Sequence, residues 1–362
     1  MSARIGSRAV VLGAALALAG CATTESTSEA SPPSHYLAPP LVSEYFTADP
    51  SAHVWEDGRI YVYTSHDVDN PLIAAGGADA FDMRDYLILS MDEPGGAVTV
   101  HPPVLNVDSV PWASRQMWAP DAAYRDGTYY LYFPAKDEND VFRIGVATSS
   151  SPTGPFTAQP QPMRGSYSID PAVMRDADGE HYMYIGGIWG GQLQRWQSGA
   201  YDPTGPDQDD TPPDDPAIAP VVARLAPSML EFAEEPRRVQ ILDPDGSPIT
   251  AGDHDRRFFE GAWVFRRGDT YYFTYSTGDT HYLVYATGTS PYGPFTYRGR
   301  ILEPVEGWTT HHSIVEVDGA WYLFYHDTQL SGGVTHLRNV KMTPLEFRAD
   351  GSIVTIDPMP GD

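Results

Sequence analysis

From about residue 46 onward the chain repeats one pattern of hydrophobic and polar positions. A polar residue opens a short apolar run, an Asp/Gly pair follows, and a strand of alternating aromatic side chains completes the unit. Five segments carry it: Asp49-PSAHVWEDGRIYVYTSHD, Asp121-AAYRDGTYYLYFPAKD, Asp170-PAVMRDADGEHYMYIGG, Glu260-GAWVFRRGDTYYFTYSTGD and His312-SIVEVDGAWYLFYHD. Tyr, Val, Phe and Trp in alternation suit half-buried pleated strands, and Asp-Gly or Gly-Asp pairs accept positive φ, so each segment predicts a hairpin. A third strand running into a Ser-Pro-x-Gly-Pro-Phe turn occurs twice, at Val146-ATSSSPTGPF and Tyr285-ATGTSPYGPF. Five units of three or four antiparallel strands, with almost no helical period, predict an all-β fold. A five-bladed β-propeller explains why the units resemble one another; a β-sandwich does not.

The opening positions are unevenly spaced, and the longest gap runs from Asp170 to Glu260. It holds Tyr201-DPTGPDQDDTPPDDPAIAP, rich in Asp and Pro and without apolar period. The expectation is an exposed, mobile loop inserted at about residues 201–220, its charge a solvated face. At the other end, Arg4 and Arg8 precede an apolar run at residues 9–19, the form of a secretory signal and too short to span a bilayer. The run ends Leu18-Ala19-Gly20-Cys21, which resembles the bacterial lipoprotein box, and Cys21 is the only cysteine of the chain. The reading is a signal peptide over residues 1–20, lipidated Cys21 with a flexible tether to residue 40, and the propeller over 41–362. Ala22 in place of Asp favours the outer membrane or periplasm as the place of anchoring, with lipid as the only membrane contact.

Asp and Glu number 48 against 23 Lys and Arg, a net charge of −25, which opposes encounter with nucleic acid. The charge matters more locally. In a propeller the innermost strands line one axis, so Asp49, Asp121, Asp170, Glu260 and His312, at one register of the repeat, are expected to converge. Any one of them alone suits a turn hydrogen bond. Converging carboxylates repel, and as a set they point to a ligand, a metal or proton transfer. Mutual pKa shifts in such a set separate an acid from a base, as glycoside hydrolysis requires. Trp112, Trp118, Trp189 and Trp263 are candidate faces for a sugar ring.

The motifs Ala48-Asp49-Pro50-Ser51, Met117-Trp-Ala-Pro-Asp121, Ser168-Ile-Asp170-Pro, Phe259-Glu260-Gly and His311-His312-Ser-Ile-Val, in this order, resemble glycoside hydrolase family 43 over residues 45–345. Pro111-WASRQMWAPDAAYRDGTYYLYFPAKD and Gly186-GIWGGQLQRW are similar to its branch of β-xylosidases and enzymes acting on arabinofuranosides. The resemblance implies a five-bladed propeller and exo-acting, inverting release of terminal xylose (β-1,4-xylosidase activity), with or without α-L-arabinofuranose, from xylan or arabinoxylan oligosaccharides. It implies Asp49 as general base, Glu260 as general acid, and Asp170 as the carboxylate that raises the acid's pKa and orients it. Asp121 is expected in sugar binding or in support of the site, beside Trp118 and Trp189, and Arg338 resembles an arginine that contacts the sugar near the base. His312 resembles a central histidine that helps hold one structural calcium or other ion in the channel, often through water; no organic cofactor is implied. His311 is expected to pack on the other face of its strand. The acidic insertion departs from the family pattern and leaves the number of subsites open; Glu260-Gly-Ala-Trp, where relatives often have Glu-Gly-Pro-Trp, is a second departure, without consequence for the chemistry. The competing readings are a retaining enzyme of the invertase type, an arabinan-directed α-L-arabinofuranosidase, and a non-catalytic sugar-binding propeller lipoprotein.

Overall fold

Alternating apolar residues separated by tight turns build five sheets, seen in a computed structural model that describes residues 35–70, 77–308 and 311–360. Blade 1 contains Phe46–Val54, Ile60–Asp67, Tyr86–Met91 and Thr99–His101 in that spatial order. Blade 2 contains Asp121–Arg125, Thr128–Lys136, Phe142–Ser149 and Thr157–Ala158. Blade 3 contains Ala172–Arg175, His181–Ile185, Val221–Arg224 and Arg237–Arg238. Blade 4 contains Glu260–Arg267, Thr270–Ser276, Leu283–Gly288 and Phe295–Leu302, with Ile241–Leu242 added in parallel at its outer edge. Blade 5 contains His312–Val317, Ala320–Asp327 and Asn339–Leu345. The first strands of blades 1 to 5 touch one another in sequence, and the last touches the first. The architecture is a five-bladed β-propeller.

The core lies between the blades, in five clusters, one for each interface. Leu131 and Phe133 meet Tyr63 and Ile88 between blades 2 and 1, for example, and Phe273 meets Tyr184 and Val222 between blades 4 and 3. Each fully buried aromatic contributes roughly 1.5–3 kcal/mol of transfer free energy. The repeated Ser-Pro turns act as latches: Tyr63 Oη donates to the Pro152 carbonyl at 2.9 Å, and Tyr184 Oη to the Pro291 carbonyl at 2.6 Å. Closure of the ring is made by the Thr47 N–H, which donates to the Arg338 carbonyl at 2.9 Å.

Two expectations change. The insertion at residues 201–220 is held rather than loose: Arg195 Nη2 lies 2.5 Å from Asp207 Oδ1, and the buried pair Arg257–Asp209 is 3.3 Å apart. Both cations lie outside the insertion in sequence, so its own composition could not announce them. Residues 35–40, assigned to the tether, lie against the propeller, with the Leu37 N–H donating to the Pro358 carbonyl at 2.8 Å and Lys341 Nζ 4.2 Å from the Tyr36 ring centroid. The signal peptide, Cys21 and the rest of the tether fall outside the described residues.

Candidate active site

Register alone does not aim a side chain at the axis; backbone conformation decides it. Asp49 has φ 52° at a β-bulge where the register slips between Ala48 and Ser51, and Asp170 has φ 57° just before its strand. Glu260 begins its strand at a second slip, beside Gly261 at φ 67°. These kinks turn three carboxyls into one cavity of about 630 Å³, whose lining also includes Arg338, His311, Phe81, Trp118, Trp189 and Trp308. The two carboxyls that a hydrolysis needs on opposite sides of a bond thus share a space of the size that holds a small ligand.

Asp49 is buried, and burial alone would raise its pKa. The Arg338 guanidinium overrides this and pulls the carboxyl down to about 2. Arg338 Nη1 donates to Asp49 Oδ1 at 2.8 Å, while Nε and Nη2 grip buried Asp67 at 2.8 and 2.7 Å. The Asp49 N–H donates to His326 Nδ1 at 3.0 Å, so that nitrogen carries no proton and His326 is not an ion-pair partner through it. Asp170 is the opposite case. Burial first, then the negative charges of Glu260 and Asp49, push its carboxyl well above the usual range. Its Oδ2 accepts the Gly261 N–H at 2.9 Å, one residue from Glu260, so Asp170 braces the backbone that aims the glutamate. Like charges this close favour retention of a proton by the pair. Gly187 leaves room for this pair: a Cβ there would lie 2.6 Å from Ile169 and 3.2 Å from the Glu260 Cβ.

The remaining site residues divide. Trp118 and Trp189 line the cavity, Trp118 being fixed by its Nε1–H to the Phe81 carbonyl at 2.8 Å. Trp112 does not; it stacks on Phe133, 6.0 Å between centroids. Trp263 does not either, being buried with its Nε1–H donated to the Ile314 carbonyl. Asp121 stands apart from the cavity, 1% exposed, because its strand starts without a kink. Its carboxylate accepts from Ser51 Oγ, the Ala122 N–H and the Val173 N–H, with His53 Nε2 at 2.7 Å. It joins blades 1, 2 and 3, so of its two expected roles the geometry fits support and not sugar contact. His311 lines the cavity with Nδ1 3.8 Å from Asp49 Oδ1, instead of packing away from it.

His312 is buried. Thr274 Oγ1 donates to the Trp263 carbonyl at 3.0 Å, so the His312 Nε2–H, 2.6 Å away, is the donor in their contact. Nδ1 is then a bare lone pair with no hydrogen-bond partner, and burial, with His311 and His326 nearby, keeps the ring neutral. That fits one imidazole ligand of a cation whose other ligands are water. Among the described residues no group of three or more His, Cys, Asp or Glu side chains is placed to hold an ion.

Asp67, His326, Phe81, Trp308 and Gln208, the last a cavity-lining residue on the insertion, were missed at the level of sequence. A signal for the first two existed: the second strands of the first and last repeats both end in His-Asp, at His66-Asp67 and His326-Asp327.

The family model for glycosyl hydrolases family 43 matches residues 38–353. A xylosidase/arabinosidase 43A of Humicola insolens is 56% identical over 332 residues, covering 88% of this chain and 99% of its own length. A xylosidase/arabinosidase of Bacteroides ovatus is 53% identical, covering 88% and 97%. Among solved structures, a GH43 beta-xylosidase/alpha-arabinofuranosidase from a compost microbial metagenome, in complex with xylotriose and in calcium-free form, aligns with TM-score 0.87 at 59% identity over 89% of this chain and 97% of that one. A GH43_1 enzyme from Xanthomonas citri complexed with xylotriose aligns with TM-score 0.85 at 55% identity, over 91% and 95%. With its kinked carboxylates gathered on a five-bladed ring, the chain belongs to glycosyl hydrolases family 43 and is a glycoside hydrolase.

Proposed function

We propose that this enzyme removes terminal xylose from the non-reducing end of xylo-oligosaccharides with inversion, and that it also releases α-L-arabinofuranose. The observation that carries the reading is that Asp49 and Glu260 open onto one cavity while differing in environment. Asp49, ionised because of Arg338, accepts the proton of the attacking water as general base. Its low pKa makes it a weak base, so its contribution rests on position more than on proton affinity. Glu260, only half-buried, shares one retained proton with Asp170, and with that proton on Glu260 it protonates the glycosidic oxygen as the bond breaks. Asp170 keeps that proton available and holds the Gly261 amide. Arg338 and the walls of Phe81, Trp118 and Trp189 hold the substrate, Trp189 on the Glu260 side. The catalytic names of the relatives and the xylotriose bound in two of them support the substrate class. A calcium or similar cation, when bound, would be held by His312 Nδ1 and water and would supply positive charge to the ring's interior.

Proton NMR of the first-formed sugar, from aryl β-xyloside and aryl α-L-arabinofuranoside, tests both parts. Inverted anomers from both substrates are expected; a retained anomer refutes the base assignment, and no arabinose release refutes the second activity. We further propose anchoring in the cell envelope through lipid at Cys21. Palmitate labelling that persists in Cys21→Ala would overturn it.

A further inference from the structure

The acidic insertion carries, at Gln208, a side chain with no partner among the described residues. Gln208 is exposed, lines the cavity and makes no hydrogen bond to any described residue. Its backbone, by contrast, is fixed on both sides. On one side the buried Gln194 amide donates to the carbonyls of Trp189 (3.0 Å), Pro206 (3.2 Å) and Asp207 (3.0 Å). On the other, the Asp209 carboxylate, whose side chain is 3% exposed, pairs with buried Arg257, which is held also by Asp279 at 3.3 Å and leads through Phe258 and Phe259 to Glu260. The insertion is thus tied at once to Trp189 and to the turn that carries Glu260.

These ties fix which part of a substrate Gln208 can meet. Trp189 lies on the Glu260 side of the cavity: the Ile188 N–H donates to the Phe259 carbonyl at 2.9 Å, and the Trp189 and Phe259 rings are 5.0 Å apart. Trp308 extends this wall, stacked on Trp189 at 6.1 Å and 29°. Asp49 is held instead by Arg338, which lies 5.1 Å from the Phe81 centroid. An acid protonates the leaving-group oxygen and a base activates water on the opposite face, so the Glu260 wall meets the leaving group.

We propose that the insertion forms a leaving-group subsite in which Gln208 hydrogen-bonds a hydroxyl of the sugar unit beyond the scissile bond, over the Trp189–Trp308 wall. The inference rests on the glycosidase reading above. Gln208 is free to bond because no described residue occupies it, and its backbone is already held when substrate arrives, so only its side chain has to be ordered. An aryl leaving group reaches the same wall without a hydroxyl to offer.

The test compares kcat/KM for xylobiose and for an aryl β-xyloside in the wild type, Gln208→Ala and Gln194→Ala. One neutral hydrogen bond corresponds to about three- to tenfold, so the xylobiose-to-aryl ratio is expected to fall by that factor in Gln208→Ala, and in the same direction in Gln194→Ala as the backbone loosens. Gln208 is exposed, so its truncation leaves folding untouched. An unchanged ratio in Gln208→Ala, with the wild type active on both substrates, overturns the subsite alone. A wild type active on neither removes the glycosidase reading and the subsite with it, and one that cleaves only the aryl xyloside also overturns the subsite.

Discussion

Arg338→Met isolates the electrostatic half of the mechanism. The substitution keeps much of the volume but removes the charge 2.8 Å from Asp49 and 2.7 Å from Asp67. In the wild type, desolvation raises the Asp49 pKa and Arg338 is the largest influence lowering it, for a net fall from 3.8 to about 2. At about 1.4 kcal/mol per unit, that difference is about 2.5 kcal/mol in favour of the carboxylate. Without the guanidinium, burial governs and the pKa moves above 3.8. The pKa is depressed in the folded protein, so the wild-type site contributes stability above pH ~4 and loses it as pH falls toward 2. In Arg338→Met that contribution is absent, and two buried carboxylates are left without their cation, at a cost of about 3–5 kcal/mol. The assay is kcat/KM against pH on an activated aryl xyloside, where the acid limb reports the base of the free enzyme. The rate falls because the sugar loses a contact, but the diagnostic is the position of the limb, which is expected to move up by about 2 units or more. Arg338→Lys, keeping a cation, should recover most of that movement. A folded Arg338→Met whose acid limb stays at the wild-type pH would refute the account of Asp49.

Glu260→Gln should lower kcat on xylobiose by about 10²–10⁴-fold and act less on an aryl xyloside with a good leaving group, measured by steady-state kinetics. Asp121→Ala leaves the Val173 N–H unsatisfied in the interior and is expected to lower stability by about 1–3 kcal/mol in urea titration, with KM for aryl xyloside changed less than about twofold; a large KM increase on a stable protein would restore it to the sugar site. Phe273→Ala, truncating a fully buried ring between blades 3 and 4, should cost about 3–5 kcal/mol by the same titration. Calcium added to chelator-treated protein is expected to raise the melting temperature, and His312→Ala to abolish that rise; a rise that survives the substitution would place the cation elsewhere.

The propeller was legible because its cause is local and repeated. Period-two aromatics make a strand with one face for each neighbouring blade, an Asp-Gly pair makes the hairpin, and five copies leave few ways to bury both faces other than a ring. The short outer strands were not legible: Thr157–Ala158 and Arg237–Arg238 are two residues each and exist by pairing with their neighbours. The same holds for the insertion. Read alone it is polar and proline-rich, yet Gln194, Arg195 and Arg257, all outside it, determine where it lies. Interactions between distant parts of the chain carry no local pattern.

The site shows a different limit. Five residues at one register looked equivalent, and the structure divides them into three that face the cavity and two that do not. The division follows the residue that comes next. Asp49 and Asp170 each precede proline, which has no N–H to give the ladder and is tolerated in a strand only where the ladder breaks; Glu260 precedes glycine, which takes φ 67° there. Asp121 precedes alanine and His312 precedes serine, their strands pair regularly from the first residue, and their side chains stay in the wall of the ring. At this register the three carboxylates followed by Pro or Gly are turned out of the sheet, and Asp121, followed by Ala, is kept in it. The information that separates the cavity-facing aspartates from Asp121 was present in single dipeptides, but it acts through the break in the ladder and not through the identity of the acid. A repeat in which Asp121 were followed by proline would be expected to kink like the others, losing the bonds that join three blades in order to place a fourth carboxylate in the cavity.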